Sequence, residues 1–383
     1  MIKEEKTNMK KYIAVLLALV MVLGLAACGG SSKPADSGSA GAAVSVAMVT
    51  DYGDITDQSF NQTTYEACKA YCEANSLKFS YYKPASDSDD DRIAAIEKAI
   101  DDGFNVVVMP GYAFAGAIAK TAPTYADVTF IALDVSEFDL TSAGLDPLPA
   151  NLYSAVYQEE LCGYMAGYAA VKLGYTKLGF LGGMAVPAVV RYGYGFVQGA
   201  DKAAAEIGAD VTLNYVYGNQ FYGDADITAA MDTWYGAGTE IVFACGGGIF
   251  TSAAEAAAKV GGKVIGVDVD QAATIDGGYG EGMTVTSAMK GLAATVNTEL
   301  AAVLAGQFQG GQIANLGLVS EVPEENYVQL AGSTQFGEGF TAEDYAALVA
   351  AMYNGEITVN NDISISAADN ATTITVVDQG TVK

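Results

Sequence analysis

Polar residues and glycines lie within a few residues after five of the predicted strands, at positions suited to binding a small polar ligand. They are Asp51, Asp134, Gly246–Gly248, Asp268 and Lys290. Carboxylates accept hydrogen bonds, an ammonium group donates them, and glycines let the backbone approach a ligand closely. Each residue alone could equally be loop or helix-cap chemistry, since Asp and Gly are common after strands. Their recurrence at five strand ends favours one shared binding site.

The composition argues against several classes of site. The 383 residues include no histidine, which removes the usual general base and the commonest metal ligand. The formal net charge is −26, and Arg92 and Arg191 are the only arginines, so no surface for nucleic acid is expected. A neutral or cationic ligand suits this charge better than a phosphorylated one. We therefore expect no metal, no cofactor and no enzymatic activity.

Two other groups of residues have structural explanations. Cys68, Cys72, Cys162 and Cys245 are expected to be small buried residues, with a long-range disulfide as the alternative. The acidic run Asp87–Asp91 resembles a calcium ligand set only in its charge, because the glycine and glutamate spacing of a calcium loop is missing. We expect this run to begin a helix, where carboxylates interact favourably with the helix dipole.

The N-terminal residues predict export and lipidation. The apolar run from Ile13 to Ala27 is 15 residues long, too short to span a bilayer but suitable for a signal peptide. The sequence Leu-Ala-Ala before Cys28 is similar to a bacterial lipobox, although an ordinary signal peptide with an incidental cysteine is the alternative. We expect residues 1–27 to be removed and Cys28 to be lipidated. Residues 28–43 would then tether an extracytoplasmic protein to the cell membrane.

From Val44 onward, short apolar runs alternate with amphipathic helical stretches, in two series separated by a break near Pro147–Asn151. Continuous apolar strands that alternate with helices predict parallel sheets covered on both faces. We therefore expect an α/β fold of two doubly wound lobes around a cleft. The first lobe would comprise residues 44–150 and about 286–312, and the second residues 151–285 and about 313–383. Ligands of such sheets bind beyond the carboxyl ends of the strands.

Several segments, in order along the chain, resemble the motifs of the basic membrane protein family, the PnrA-like nucleoside-binding lipoproteins of ABC importers. The two most specific are Asp51–Asn61 (DYGDITDQSFN) and Gly266–Gln271 (GVDVDQ). Further matches are Gly103–Val108, Gly163–Tyr168, Leu178–Gly183, Thr286–Lys290 and Gly355–Val359. The resemblance covers roughly residues 44–359. It implies two lobes of the type I periplasmic-binding protein kind, with the ligand between them.

The resemblance also implies a ligand and roles for particular residues. The family binds nucleosides, often purines, and delivers them to the permease and ATPase subunits of an importer. Phe60 matches the aromatic residue that stacks on the base, and Asp268 with Lys290 matches the pair that binds ribose. Phe221, or Tyr222 beside it, is the expected second stacking residue, with a core aromatic as the alternative for Phe221.

The remaining expected site residues are less specific. Asp51, Asn61 and Asp134 match other positions of the family's cleft, and Gly247 lies in the glycine run that would approach the ligand. Asp134 could accept a hydrogen bond from a ring N–H or an exocyclic amine, which would favour guanine or inosine edges.

Three alternatives to a nucleoside importer remain at this stage. A sugar or a flavin could use the same aromatic residue and Asp–Lys pair. A nucleoside hydrolase would need a positioned acid or base, or a metal cluster. A sensor protein would report the same ligand to a receptor instead of delivering it for transport.

Overall fold

The structure is a computed structural model that describes residues 43–382. Strands and helices alternate along this part of the chain. The predicted signal peptide, the lipidation site Cys28 and the linker except Ala43 lie outside the described residues. The first series of elements is β1 (Ser45–Val49), α1 (Phe60–Ala74), β2 (Lys78–Tyr82), α2 (Asp89–Asp101), β3 (Val106–Pro110), α3 (Ala115–Thr124), β4 (Thr129–Leu133), α4 (Glu137–Ser142) and β5 (Leu152–Tyr157).

The second series begins at Glu159, shortly after the end of β5, and runs to the end of the described chain. Its elements are α5 (Glu159–Lys172), β6 (Lys177–Gly182), α6 (Pro187–Ile207), β7 (Thr212–Tyr217), α7 (Ala225–Gly236), β8 (Ile241–Cys245), α8 (Phe250–Ala258), β9 (Lys263–Asp268), α9 (Ala272–Tyr279), β10 (Thr284–Lys290), α10 (Leu292–Leu304), β11 (Gln312–Leu316), β12 (Val328–Leu330), α11 (Ala342–Tyr353) and β13 (Thr375–Thr381).

The strands form two mostly parallel sheets, as the sequence pattern predicts. The first sheet has the order β11-β5-β4-β3-β1-β2, and every pairing in it is parallel. The second has the order β12-β10-β9-β8-β6-β7-β13, in which β12 alone runs antiparallel to its neighbour. The strands β1, β3 and β8 are buried along their full length, which agrees with sheets covered on both faces.

The sheets divide the strands differently from the expected lobe boundaries. Strand β5 was expected in the second lobe, but it pairs with β4 in the first sheet. Strand β10 belongs to the second sheet, and β11 pairs with β5 in the first. The sequence break at residues 147–151 precedes β5 and does not mark a change of sheet. The lobes that we now propose are residues 43–157 with 292–316, and residues 159–290 with 328–382.

The chain passes between the two sheets three times, and hydrogen bonds connect the three passages. The amide of Gln158, after β5, donates to the carbonyl of Leu316, at the end of β11 (2.9 Å). The amide of Gly291, after β10, donates to the carbonyl of Tyr327 (2.7 Å), and the Tyr327 amide donates to Gly317 (3.1 Å). The ends of β5, β10 and β11 are therefore fixed close together.

Helices α5 and α6 pack at backbone distance, which brings their N-terminal halves together. An added Cβ on Gly163 of α5 would lie 2.2 Å from the carbonyl oxygen of Tyr192, and one on Gly195 of α6 would lie 2.0 Å from that of Glu160. Only glycine permits such close approach. The contact places Glu159 and Glu160 beside Arg191.

Helix α2 begins within the acidic run, as predicted. The hydroxyl of Ser88 accepts a hydrogen bond from the Asp91 amide, and Asp89, Asp90 and Asp91 occupy the first turn. The four cysteines outside the N-terminal region are buried and unpaired, as the sequence predicts. Within residues 43–382, no helix is both long and apolar enough to cross a membrane.

Candidate ligand-binding site

A cavity of about 440 Å³ lies at the ends of strands from both sheets. This volume falls within the range of roughly 300–1,000 Å³ that is typical of small-molecule sites. All eight ligand-binding residues expected from the sequence line it, namely Asp51, Phe60, Asn61, Asp134, Phe221, Gly247, Asp268 and Lys290. The structure thus brings these residues together, and their contacts with a ligand remain predictions.

The ammonium group of Lys290 is the centre of a buried charge cluster. Its Nζ atom hydrogen-bonds to Asp134, lies 3.4 Å from Glu159 Oε1 and lies 3.7 Å from Asp268 Oδ1. Only 3% of the Lys290 side chain is exposed. Burial alone would lower its pKa, but Asp134, Asp268 and Glu159 outweigh that effect and hold the pKa well above the usual value. The lysine therefore stays charged inside the cavity wall.

Asp134 and Asp268 occupy equivalent positions at the ends of their strands. Asp134 directly follows β4 and Asp268 is the last residue of β9, and both have left-handed backbone conformations, with φ of 60° and 64°. Non-glycine residues held in this region are frequently part of functional sites. Strands β9 and β10 are paired so that Asp268 lies opposite Met289. This pairing explains why Asp268 and Lys290 are neighbours although they are distant in sequence.

One oxygen of Asp134 lacks a partner. Its Oδ2 atom accepts from Lys290, but its Oδ1 atom is buried with no hydrogen-bond partner among the described residues. Burial raises the pKa of Asp134, while the positive charge of Lys290 opposes that rise. A buried acceptor without a donor is costly, so this oxygen is suited to accept a hydrogen bond from a ligand.

Both expected aromatic residues face the cavity. Lys290 Nζ lies 4.8 Å from the centroid of the Phe60 ring, so Phe60 lies at the same end of the cavity as the charge cluster. The Phe221 ring lies against Gly183 and Gly246, where added Cβ atoms would come within 2.4 and 2.9 Å of it. Phe221 also packs against the hydrophobic core, so this residue both lines the cavity and contacts the core, and its stacking on a ligand stays a prediction.

Asp51 and Asn61 form a separate polar group in the wall. Asp51 Oδ1 accepts from the amides of Tyr52 and Gly53 (2.6 Å each) and from Asn61 Nδ2 (3.3 Å). Burial raises the pKa of Asp51 despite these bonds. Asn61 Oδ1 is buried without a partner among the described residues, which makes it a second free acceptor.

Residues from the two sheets contact each other across the cavity. Ser59 Oγ donates to Asp268 Oδ2 (2.8 Å), and Gln271 Nε2 donates to the carbonyl of Gln58 (3.1 Å). The hydroxyl of Tyr52 lies 3.7 Å from the sulfur of Met184. The two sides of the cavity are therefore in direct contact.

Sequence reasoning missed three residues that complete the site: Glu159, Arg191 and Tyr192. Glu159 is fully buried and connects two cations, since its Oε2 atom accepts from Arg191 Nε (2.7 Å) and its Oε1 atom faces Lys290. The Tyr192 hydroxyl donates to Asp268 Oδ1 (3.4 Å). All three lie in the first two turns of α5 and α6, whereas the sequence argument concerned the ends of strands. Pro187 at the start of α6 was an available signal.

Comparisons with known proteins agree with this architecture. Residues 44–335 match the family described as ABC transporter substrate-binding protein PnrA-like. The chain is 29% identical over 248 residues to the ABC transporter nucleoside-binding protein BmpA of Lactococcus lactis subsp. cremoris, covering 63% of this chain and 66% of that protein. It is 27% identical to basic membrane protein A of Borreliella burgdorferi, covering 50% and 53%. The matches thus span just under two thirds, or less, of these relatives' lengths.

Solved structures support the fold. An ABC transporter solute-binding protein from Aeropyrum pernix has a TM-score of 0.63 at 20% identity, covering 83% of this chain and 88% of that one. One from Conexibacter woesei has a TM-score of 0.64 at 22% identity, covering 83% and 99%. With the family match over residues 44–335, these observations establish that the chain belongs to the PnrA-like family of ABC transporter substrate-binding proteins, the basic membrane protein family.

Proposed function

We propose that this protein binds a nucleoside, most favourably a purine nucleoside, in the cavity between its two lobes. The observation that carries the proposal is the combination of one aromatic ring, Phe60, with the buried Asp268–Lys290 pair and the unpartnered oxygen of Asp134. A base needs an apolar face to stack on, and stacking contributes about 1–3 kcal/mol per base. A vicinal diol needs adjacent acceptors and donors.

Each part of a nucleoside has a counterpart in this site. The base would stack on Phe60 with Phe221 opposite. The ribose hydroxyls would donate to Asp268 and accept from Lys290. The Oδ1 atom of Asp134 would accept from an N–H group of the base, which favours inosine or guanosine. The charge cluster would repel a phosphate, since three carboxylates surround one lysine, so a nucleoside should bind in preference to its nucleotide.

We further propose that Cys28 carries a lipid anchor, that the protein works outside the cell membrane, and that it delivers its ligand to the permease and ATPase of an importer. The relative from Lactococcus lactis is named as a nucleoside-binding protein of an ABC transporter, which supports this role. Closure of the lobes around the ligand would create the surface that the permease recognises. The protein would act without catalysis. A sensor role would use the same binding step and a different partner.

The ribose assignment can be tested with Asp268→Asn. Asparagine tolerates the left-handed backbone of this position and keeps the size of the side chain, but it removes the carboxylate. Calorimetric titration with inosine, guanosine and adenosine should show that the affinity of this variant falls by roughly tenfold or more, because a charged acceptor for the diol is gone. Glu240→Gln, which removes one negative charge from an exposed position, is the control. Wild-type affinity in Asp268→Asn would refute the assignment.

The alternatives give different results in the same titration. A flavin site would bind riboflavin and leave nucleosides unbound, and a sugar site would bind free sugars. Release of free base during incubation with a nucleoside would point to a hydrolase.

A further inference from the structure

Arg191 presents unused hydrogen-bond donors to the cavity. Its Nε atom donates to Glu159 Oε2 (2.7 Å) and lies 3.9 Å from Glu160 Oε2. Among residues 43–382, Arg191 donates its side-chain hydrogen bond through Nε and not through its two terminal NH₂ groups. Arg191 lines the cavity, and 19% of its side chain remains exposed. The four N–H donors of the terminal groups of this rigid guanidinium are therefore not used by the protein, at a residue that lines the ligand space.

Glu159 connects Arg191 to the charge cluster around Lys290. One carboxylate oxygen of Glu159 holds Arg191 and the other faces Lys290 Nζ at 3.4 Å. A single carboxylate thus separates the two cations. The next residue, Tyr192, donates to Asp268. Arg191 is therefore adjacent to the Asp268–Lys290 pair.

We propose that Arg191 is a further specificity-determining residue, whose terminal NH₂ groups donate to a 2′- or 3′-hydroxyl oxygen of the ligand's ribose. This inference rests on the proposed nucleoside function. Asp268 would accept from the diol, while Arg191 and Lys290 would donate to it. Buried Glu159 would act as a positioning residue that orients both cations. The site would then discriminate ribonucleosides from deoxynucleosides, since an unpaired guanidinium would remain when the hydroxyls are missing.

Arg191→Lys separates this role from a structural one. Lysine keeps the charge beside Glu159, but a single ammonium group cannot reproduce the donor geometry of the guanidinium. If Arg191 only neutralises Glu159, lysine should preserve both stability and binding. If it contacts the sugar, lysine should preserve stability and weaken binding. Arg191→Gln serves as a second variant, and Lys259→Gln, at the half-exposed residue that follows α8, controls for loss of one positive charge.

The experiment is calorimetric titration of the full-length chain with inosine, guanosine and adenosine and with their 2′,3′-dideoxy analogues. Urea unfolding of each variant without ligand accompanies it. We expect the wild type to prefer ribonucleosides by roughly 10- to 100-fold. Arg191→Lys and Arg191→Gln should lose part of that preference, because Asp268 and Lys290 still contact the diol. In these variants the affinity for the ribonucleosides should fall, and the affinity for the dideoxy analogues should change less than about twofold.

Two results would overturn the inference while leaving nucleoside binding as such intact. One is a wild-type protein that binds nucleosides and their dideoxy analogues equally well, which would also refute the ribose contacts proposed for Asp268 and Lys290. The other is an Arg191 variant whose affinity is unchanged, or falls equally for both sugar forms. A wild-type protein that binds no nucleoside would instead refute the proposed function, and this inference with it.

Discussion

Removal of the Lys290 ammonium group should destabilise the protein strongly. Three carboxylates, from Asp134, Glu159 and Asp268, lie within ion-pair distance of Nζ, and the Lys290 side chain is only 3% exposed. Truncation of one member of a buried ion pair typically costs about 3–5 kcal/mol, because the remaining charge is left uncompensated. We expect Lys290→Met to lower the free energy of unfolding at pH 8 by an amount in this range.

The loss of stability in Lys290→Met should depend on pH, and the protonation of Asp134 determines whether it is larger at high or at low pH. Burial raises the pKa of Asp134 and Lys290 opposes the rise, so removal of the lysine should raise this pKa further. A carboxyl group with a raised pKa in the folded state costs stability while it is charged, and the cost disappears as the pH falls and a proton binds. The destabilisation by Lys290→Met should therefore be smaller at pH 5 than at pH 8.

Urea unfolding followed by circular dichroism at pH 5 and pH 8 measures both effects. Lys290→Arg, which keeps the charge, is the control, and its free energy of unfolding should fall much less. The double variant Lys290→Met with Asp134→Asn should recover part of the loss at pH 8, because one uncompensated charge is gone. A loss below about 1 kcal/mol, or an equal loss at both pH values, would refute the account of this cluster.

Three further predictions follow from other parts of the structure. Burial raises the pKa of Glu160 to about 7, so Glu160→Gln should stabilise the protein at pH 8 by up to about 3 kcal/mol and by less at pH 5.5; equal gains in urea unfolding at both pH values would contradict this. Gly183→Ala puts a Cβ 2.4 Å from the Phe221 ring and should weaken nucleoside binding about tenfold or more in calorimetry, whereas Gly277→Ala, which has open space around it, should not. Deletion of residues 372–382 removes three amide donors to Asp201 and the whole of β13. It should lower the free energy of unfolding by about 3 kcal/mol or more without changing the dissociation constant for the nucleoside. An unchanged urea midpoint would show that β13 contributes nothing to stability.

The sequence predicted the central strands of both sheets because their apolar runs are continuous and buried on both faces. It failed at β5, whose six residues follow a break that was interpreted as a lobe boundary, and at the edge strands β11, β12 and β13. Edge strands are half exposed and have weak patterns; β11 and β13, for example, contain mostly exposed or half-buried residues.

The predictability of the site depended on which elements supply its residues. Asp134, Asp268 and Lys290 follow or end apolar strands, so the rule for parallel sheets was sufficient to find them. Glu159 and Arg191 belong to the first two turns of two helices whose contact depends on glycine-mediated packing. Only the three-dimensional structure reveals that contact, because no local pattern in the sequence encodes it.

The most direct test of the nucleoside proposal is a thermal-shift panel on the protein after it has been unfolded and refolded to remove bound ligand. The panel compares purine and pyrimidine nucleosides, free bases, nucleotides, ribose, other common sugars and riboflavin. A ligand at 100 times its dissociation constant stabilises the folded state by roughly 2.7 kcal/mol, which such a measurement detects readily. We predict stabilisation by inosine, guanosine or adenosine, and none by ribose or by nucleotides. Stabilisation by a sugar or by riboflavin, with no effect of any nucleoside, would contradict the account.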